Sequence, residues 1–180
     1  MHILVAKRLT LRPLVALDAD DIAAALSNWK VARNLAVVPY PYFPADAHDW
    51  IAGLAFRPDD LVYTIHRERL IGVVSLEGGG PAPRLGYWLA EEAHGRGFMT
   101  EAAAALIDHA ISTRRIEAVE SSVFVDNPAS MQVQRKLGFV TTGLTQIYCR
   151  PRDAMVDALT TRLDAAAWAS RAATPGRAAA

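Results

Sequence analysis

Residues 9–14 (LTLRPL) alternate apolar and polar positions and carry Pro13 near their end. That pattern predicts a short edge strand. Residues 18–26 follow with helical periodicity, and Asp18 or Asp20 can cap them. Residues 34–44 contain the run VVPYPYFP. Proline at that density breaks regular structure, so an ordered loop is expected. Residues 45–55 read as a helix with Trp50, Ile51 and Leu54 on one side. Three strands are then expected, at 61–66, 70–76 and 84–89. Arg67-Glu68-Arg69 suits a hairpin between the first two. A helix over 100–113 shows an apolar stripe near period 3.6. A strand at 118–125 and a helix at 128–137 come next, with Pro128 in the helix's first turn and Gly138 ending it. Strands near 139–147 and 154–163 complete the pattern.

Only the unit built from strand 84–89, helix 100–113 and strand 118–125 need be parallel. The order therefore predicts an α/β domain over residues 1–164, with a mixed sheet and helices on its faces. From residue 165 to 180 the composition falls to Ala, Arg, Ser, Thr, Pro, Gly and Trp in a simple mix. A frayed helix or disorder is expected there.

Composition narrows the function classes. The chain has 180 residues, 52% of them hydrophobic, and 19 basic residues balance 19 acidic ones. That balance argues against a dedicated nucleic-acid binder. Cys149 is the one cysteine, so no internal disulfide forms. Histidines at 2, 48, 66, 94 and 109 have no metal-ligand spacing, and no metal is expected. No apolar stretch approaches the ~20 residues that span a bilayer. A cytoplasmic, membrane-free monomer or homodimer is the expectation.

The first chemical signal is the strand-to-loop-to-helix passage that contains His94, Gly95, Arg96, Gly97, Phe98, Met99 and Thr100. A helix start exposes backbone N–H groups and a partial positive charge, and glycines there let an anion approach. A plain strand-to-helix turn explains a single glycine pair equally well. A P-loop would need GxxxxGK[ST], which is absent, and a dinucleotide fingerprint would need glycine where Thr100 stands. The second signal is Asn127 at a strand end, Ser130 in the next first turn, and Lys136-Leu137-Gly138-Phe139 closing that helix. Asn127 is equally a helix cap.

In order and spacing, Gly86-Tyr87-Trp88-Leu89, Gly95-Arg96-Gly97-Phe98, Thr100-Glu101-Ala102, Asn127, Ser130 and the KLGF turn resemble the GNAT superfamily. The likeness is to the branch of ribosomal-protein N-terminal acetyltransferases, and it covers roughly residues 8–163. The resemblance implies a mostly antiparallel sheet in which a splayed central pair of parallel strands holds acetyl-CoA. It implies that Trp88, Leu89 and Ala90 meet the pantetheine arm, the last two through their backbone. The loop from His94 to Thr100 would hold the diphosphate. Asn127 and Ser130 would line the cleft near the thioester. This chain departs from the pattern at His94 and Met99, where backbone binding tolerates the change. Gln134 holds the place of a tyrosine acid in related branches, and Arg84 that of a frequent glutamate.

Direct attack of an amine on the thioester within a ternary complex is the chemistry expected. A backbone N–H near Leu89 would stabilise the oxyanion. Ser130 is the candidate acid, with Tyr148 next in line. Glu77 is the candidate base, although a solvated carboxylate beside a glycine turn is the simpler reading. Cys149 reads as a packing residue. Asn28, Trp29, Tyr40 and Tyr42 are candidates to line the acceptor site, and ordinary packing is their alternative. The acceptor is a protein N-terminus or a small amine such as an amino acid, polyamine or antibiotic. A non-catalytic acyl-CoA-binding module and a nucleotide-binding α/β protein are the rivals.

Overall fold

In the computed structural model, residues 2–172 are described. Eight strands form one sheet: β1 Leu4–Val5, β2 Thr10–Pro13, β3 Leu61–His66, β4 Leu70–Glu77, β5 Arg84–Leu89, β6 Ala118–Phe124, β7 Val140–Cys149 and β8 Ala154–Asp164. Their order across the sheet is β1-β2-β3-β4-β5-β6-β8-β7. Every pairing is antiparallel except β5 with β6. The helices are α1 Ala19–Leu26, α2 Trp29–Ala32, α3 Pro44–Gly53, α4 Phe98–Thr113, α5 Pro128–Leu137 and α6 Ala165–Ala172.

Period-2 alternation divides the strand side chains between two cores. Tyr63, Ile65, Val74, Leu85 and Leu89 join Ala102, Leu106 and Ile107 of α4 on one face. Leu70 and Trp88 join Ile22, Leu26 and Val31 of α1 and α2 on the other. The mixed sheet with helices on both faces is therefore as expected.

The parallel pair is splayed. Arg84 opposite Glu120 is its one register position. Past that point Ser121 reaches across with its side chain, Oγ donating to the Leu85 carbonyl at 2.9 Å. Gln134 Nε2 donates to Ser121 Oγ at 3.0 Å, and Thr161 Oγ1 donates to Gln134 Oε1 at 2.8 Å. Ser121, Gln134 and Thr161 are all buried. Buried polar groups carry a penalty unless paired, and here they satisfy one another where the ladder has ended. On the other flank of β5, Gly72 permits a close approach: a Cβ there would lie 2.3 Å from the Trp88 carbonyl oxygen.

Several details differ from the sequence expectation. β1 is only two residues long, and α2 is a single turn, so neither carries a readable period. Asp18 does not cap α1 with its side chain. It accepts instead from Val15 N at 2.9 Å and pairs with Arg12 at 2.5 Å, closing the 3-10 turn Ala16–Asp18. Residues 165–172, expected as a frayed helix or disorder, form the helix α6. Its Trp168 Nε1 donates to Asp108 at 2.7 Å, and Arg171 donates to the carbonyls of Leu137 and Lys136. Those are orphan carbonyls at the end of α5, where a cation is favoured. Gly138 ends α5 at φ 94°, and a Cβ there would collide with Arg171 Nη1 at 1.9 Å. The rest of the tail lies outside the described residues.

Candidate active site

β5 runs from the splay into the short turn Glu91–Ala93 and then into α4. Gly95 and Gly97 both adopt left-handed backbone, at φ 74° and 76°. Gly97 is the N-cap of α4 and has no side chain to cap it. No hydrogen bond among the described residues takes up a backbone N–H from Gly95 to Thr100. Phe98 and Met99 turn their side chains into the core, at 4% and 5% exposure. What this loop offers is therefore backbone donors and the positive end of a sixteen-residue helix. Those features fit a diphosphate. Helix α4 begins at Phe98, two residues before the start expected at Thr100.

Arg8, which no local sequence pattern singles out, completes this corner. Its Nη1 donates to the Arg96 carbonyl at 3.1 Å, and its backbone N and Nε both donate to Glu101. The guanidinium lies 4.7 Å from the Phe98 ring centroid, and Nη2 faces Gly97. Glu101 sits in the first turn of α4, where its charge would oppose an anion; Arg8 neutralises it. Eighty-eight residues separate Arg8 from Arg96, so no local pattern could link them.

The end of β5 gives a sharper account of the pantetheine contacts. Ala90 N donates to Ile71 O at 2.9 Å, and Ala90 O accepts from Ala93 N. Backbone direction alternates along a strand, so Trp88 also turns its backbone toward β4, opposite Val73. Leu89 is the residue that faces the splay. Its carbonyl accepts from His94 Nε2 at 2.9 Å, which leaves its N–H toward the opening. The Ala90 N–H is thus engaged by β4, and Trp88 packs its ring in the second core. His94 acts as a tie between loop and strand.

Asn127 caps α5, accepting from Ser130 N at 3.1 Å. Ser130 is half-buried, and its Oγ lies 2.8 Å from Tyr87 Oη. The structure thus brings Leu89, Tyr87, Asn127 and Ser130 to the two sides of the splay. Glu77 is paired with Arg84 through its backbone. Its side chain turns back along the strand, so that its carboxylate accepts from Ser75 Oγ at 2.7 Å, lies beside Gly86 and is 3.9 Å from Arg57. Tyr148, the reserve acid, is on β7, with β8 between it and β6, and donates to Asp153 in the adjoining turn.

The acceptor candidates divide. Asn28 caps α2 by accepting from Lys30 N, and its Nδ2 donates to Glu91 at 2.7 Å. Trp29 and Tyr40 form an edge-on pair with centroids 5.0 Å apart, each about two-fifths exposed. Tyr42 does not join them. It is 5% exposed within the second core, and burial pushes its hydroxyl up to about 12. At the far end of α2, Arg33 meets Asp126 at 3.1 Å, and Arg152 meets the same carboxylate at 2.7 Å. Lys30 lies 2.5 Å from Glu91. Hydrogen bonds from Lys30 and Asn28 hold Glu91 below the usual carboxylate range, and Arg152 does the same for Asp126. Cys149 is buried with its thiol toward the carbonyls of Arg33 and Leu35.

Residues 8–140 match the acetyltransferase (GNAT) domain. The chain belongs to the GNAT acetyltransferase family. This GNAT chain is 34% identical over 89 residues to a probable N-acetyltransferase, YjcK, of Bacillus subtilis, covering 47% of this chain and 49% of that protein. It is 35% identical over 79 residues to the ribosomal-protein-serine acetyltransferase of Escherichia coli, covering 42% and 44%. The chain thus aligns with about half the length of these curated relatives. Its fold is similar to that of a Salmonella typhimurium acetyltransferase that modifies the N-terminal serine of ribosomal protein L7/L12. The TM-score is 0.78 at 23% identity, over 91% of this chain and 99% of that one. Among the described residues, no helix is long and apolar enough to cross a membrane.

Proposed function

We propose that this GNAT chain transfers acetyl from acetyl-CoA to a protein N-terminal α-amine by direct attack in a ternary complex. The glycine loop and the N-terminus of α4 hold the diphosphate, with Arg8 beside them. The Leu89 N–H takes the thioester oxygen as it becomes an oxyanion. Ser130 donates a hydrogen bond to the departing sulfur, and Asn127 lines the same cleft.

The observation that carries the choice of acceptor is the charge state of the opening beside α2. Glu91 is held by Lys30 and Asn28, and Asp126 by Arg33 and Arg152. Both carboxylates are occupied and held ionised below their usual range. They neither attract a polycation nor serve as a base near neutral pH. An α-amine has a pKa of about 7.7–8.0, whereas a lysine-type amine lies near 10.4. Near pH 8 about half of an α-amine is already neutral and able to attack. The exposed Trp29–Tyr40 pair supplies a surface for the residues that follow it. The names of the Escherichia coli and Salmonella relatives agree with a protein acceptor.

The test is a comparison of free-thiol release from acetyl-CoA with N-terminal peptides and with spermidine, at equal concentrations. The reading expects the peptide to be preferred by at least about tenfold in kcat/KM. Preference for spermidine refutes the acceptor, and acetyl-CoA binding without thiol release for any amine refutes the activity.

A further inference from the structure

Tyr87 has no role in the reaction described so far, yet it touches the group that assists the leaving thiol. It lies on β5 beyond the one paired position of the splay. Its Oη is 2.8 Å from Ser130 Oγ and 3.3 Å from Ser130 O. Behind it stands Gln134. The Gln134 carboxamide oxygen is taken by Thr161 Oγ1, and its nitrogen donates to Ser121 Oγ. With its oxygen taken by Thr161, Gln134 offers the neighbouring phenol no free acceptor.

The acceptors within reach of the phenol proton are therefore Ser130 Oγ and the Ser130 carbonyl. A serine hydroxyl has one proton and two lone pairs. If Tyr87 occupies a lone pair, the Ser130 proton is free to point into the splay. Burial raises the Tyr87 hydroxyl above its ordinary range, so the phenol remains a donor throughout the assay range.

We infer that Tyr87 is a positioning residue for Ser130: by donating to Ser130 Oγ it aims the serine proton at the departing CoA sulfur. The inference rests on the reading of Ser130 given above. In the step concerned, the amine nitrogen bonds to the acetyl carbon as the carbon–sulfur bond breaks. The sulfur gains one proton as the nitrogen gives one up, so no further reactant enters. Gln134 stands where related branches carry a tyrosine, and in this chain a phenol reaches Ser130 from the facing strand.

The test is a double-mutant cycle on Ser130→Ala and Tyr87→Phe with saturating peptide acceptor. Acetyl-CoA affinity and Tm are measured on each variant. Both single variants are expected to lower kcat by about tenfold, at or below the low end of general acid–base effects. Acetyl-CoA affinity should stay within about twofold, and the double variant should be no slower than Ser130→Ala. A loss with Ser130→Ala alone overturns the Tyr87 inference while sparing the reading of Ser130. Multiplying effects, or parallel losses of kcat, affinity and Tm, also overturn it. A silent Ser130→Ala removes both. Gln134→Glu is the second variant, because it offers Tyr87 an acceptor and reverses its donor direction. A wild-type kcat there contradicts the inference even if Tyr87→Phe does not fold.

Discussion

Asn28 donates to Glu91 at 2.7 Å across 63 residues of sequence. Glu91 lies just beyond β5, and Asp126, held by Arg33, lies just beyond β6. The turn α2 thus clasps the ends of both splayed strands, one at each of its termini. Trp29 sits between the two anchors and packs edge-on against Tyr40. On the function proposed above, cofactor and acceptor would meet at this clasp.

Trp29→Ala should therefore raise the KM for a peptide acceptor by roughly three- to tenfold, with acetyl-CoA affinity unchanged. Steady-state kinetics with calorimetry separates the two. Equal losses in both would mean that Trp29 supports the fold of α2 and does not touch the acceptor.

The phosphate corner predicts two charge effects. Gly97→Glu places a carboxylate and a Cβ on a left-handed residue at the helix start, and should weaken acetyl-CoA binding by more than about tenfold. Arg8→Gln uncovers the charge of Glu101 and removes a cation. A charge-assisted hydrogen bond contributes about 1.5–3 kcal/mol, so roughly tenfold weaker binding is expected. Titration calorimetry in low and high salt checks both, since the Arg8 effect should shrink as salt rises. Unchanged affinity in folded variants would remove the loop from the cofactor site.

The clasp has a defined pH signature. Glu91 and Asp126 have folded pKa values depressed by their cationic partners. The stability they contribute is present above the unfolded carboxylate value and is lost as pH falls through the lower folded values. Between pH 6 and 9 the clasp is therefore constant. A rise in kcat/KM over that range should follow the acceptor's amine, with an apparent pKa of about 7.7–8.0 for an α-amine. A pH–rate profile whose midpoint stays fixed when the acceptor amine is changed would assign the ionisation to the enzyme instead.

Much of this was legible in the sequence because it is local. The apolar run LVYTIH reads directly as β3, and Pro128 with Gly138 brackets α5 as observed. Gly95 and Gly97 announced a loop that backbone donors would dominate, and Asn127 is the cap its position implies. What the sequence hid is set by contacts between distant segments. Arg8 reaches Glu101 across 93 residues, and the Tyr87 hydroxyl reaches Ser130 across 43. Tyr40 and Tyr42 are two residues apart and chemically identical, yet one is exposed and one is core. Nor does the sequence show that the Glu77 carboxylate turns back from its place opposite Arg84 toward Ser75 and Gly86. The Ala-rich composition after residue 164 is open to a helix, but it does not show the side chains that anchor α6, Trp168 and Arg171.

Arg171→Ala removes donors to the last carbonyls of α5. It should cost about 1–2 kcal/mol of stability, the range for a cation at a helix C-terminus together with its hydrogen bonds. Acetyl-CoA affinity should not change, because α6 lies apart from the splay. Thermal melts give the first quantity and calorimetry the second. An unaltered Tm would make α6 an appendage.

The central claim is acetyl transfer from acetyl-CoA to an α-amine. The most direct measurement is mass spectrometry, with fragment sequencing, of a peptide carrying both a free N-terminus and an internal lysine, after incubation with enzyme and acetyl-CoA near pH 8. One acetyl group on the N-terminal nitrogen, absent without enzyme and matched by one equivalent of released thiol, is the predicted result. Acetyl on the lysine alone, or no acetyl on any peptide despite acetyl-CoA binding, would contradict it.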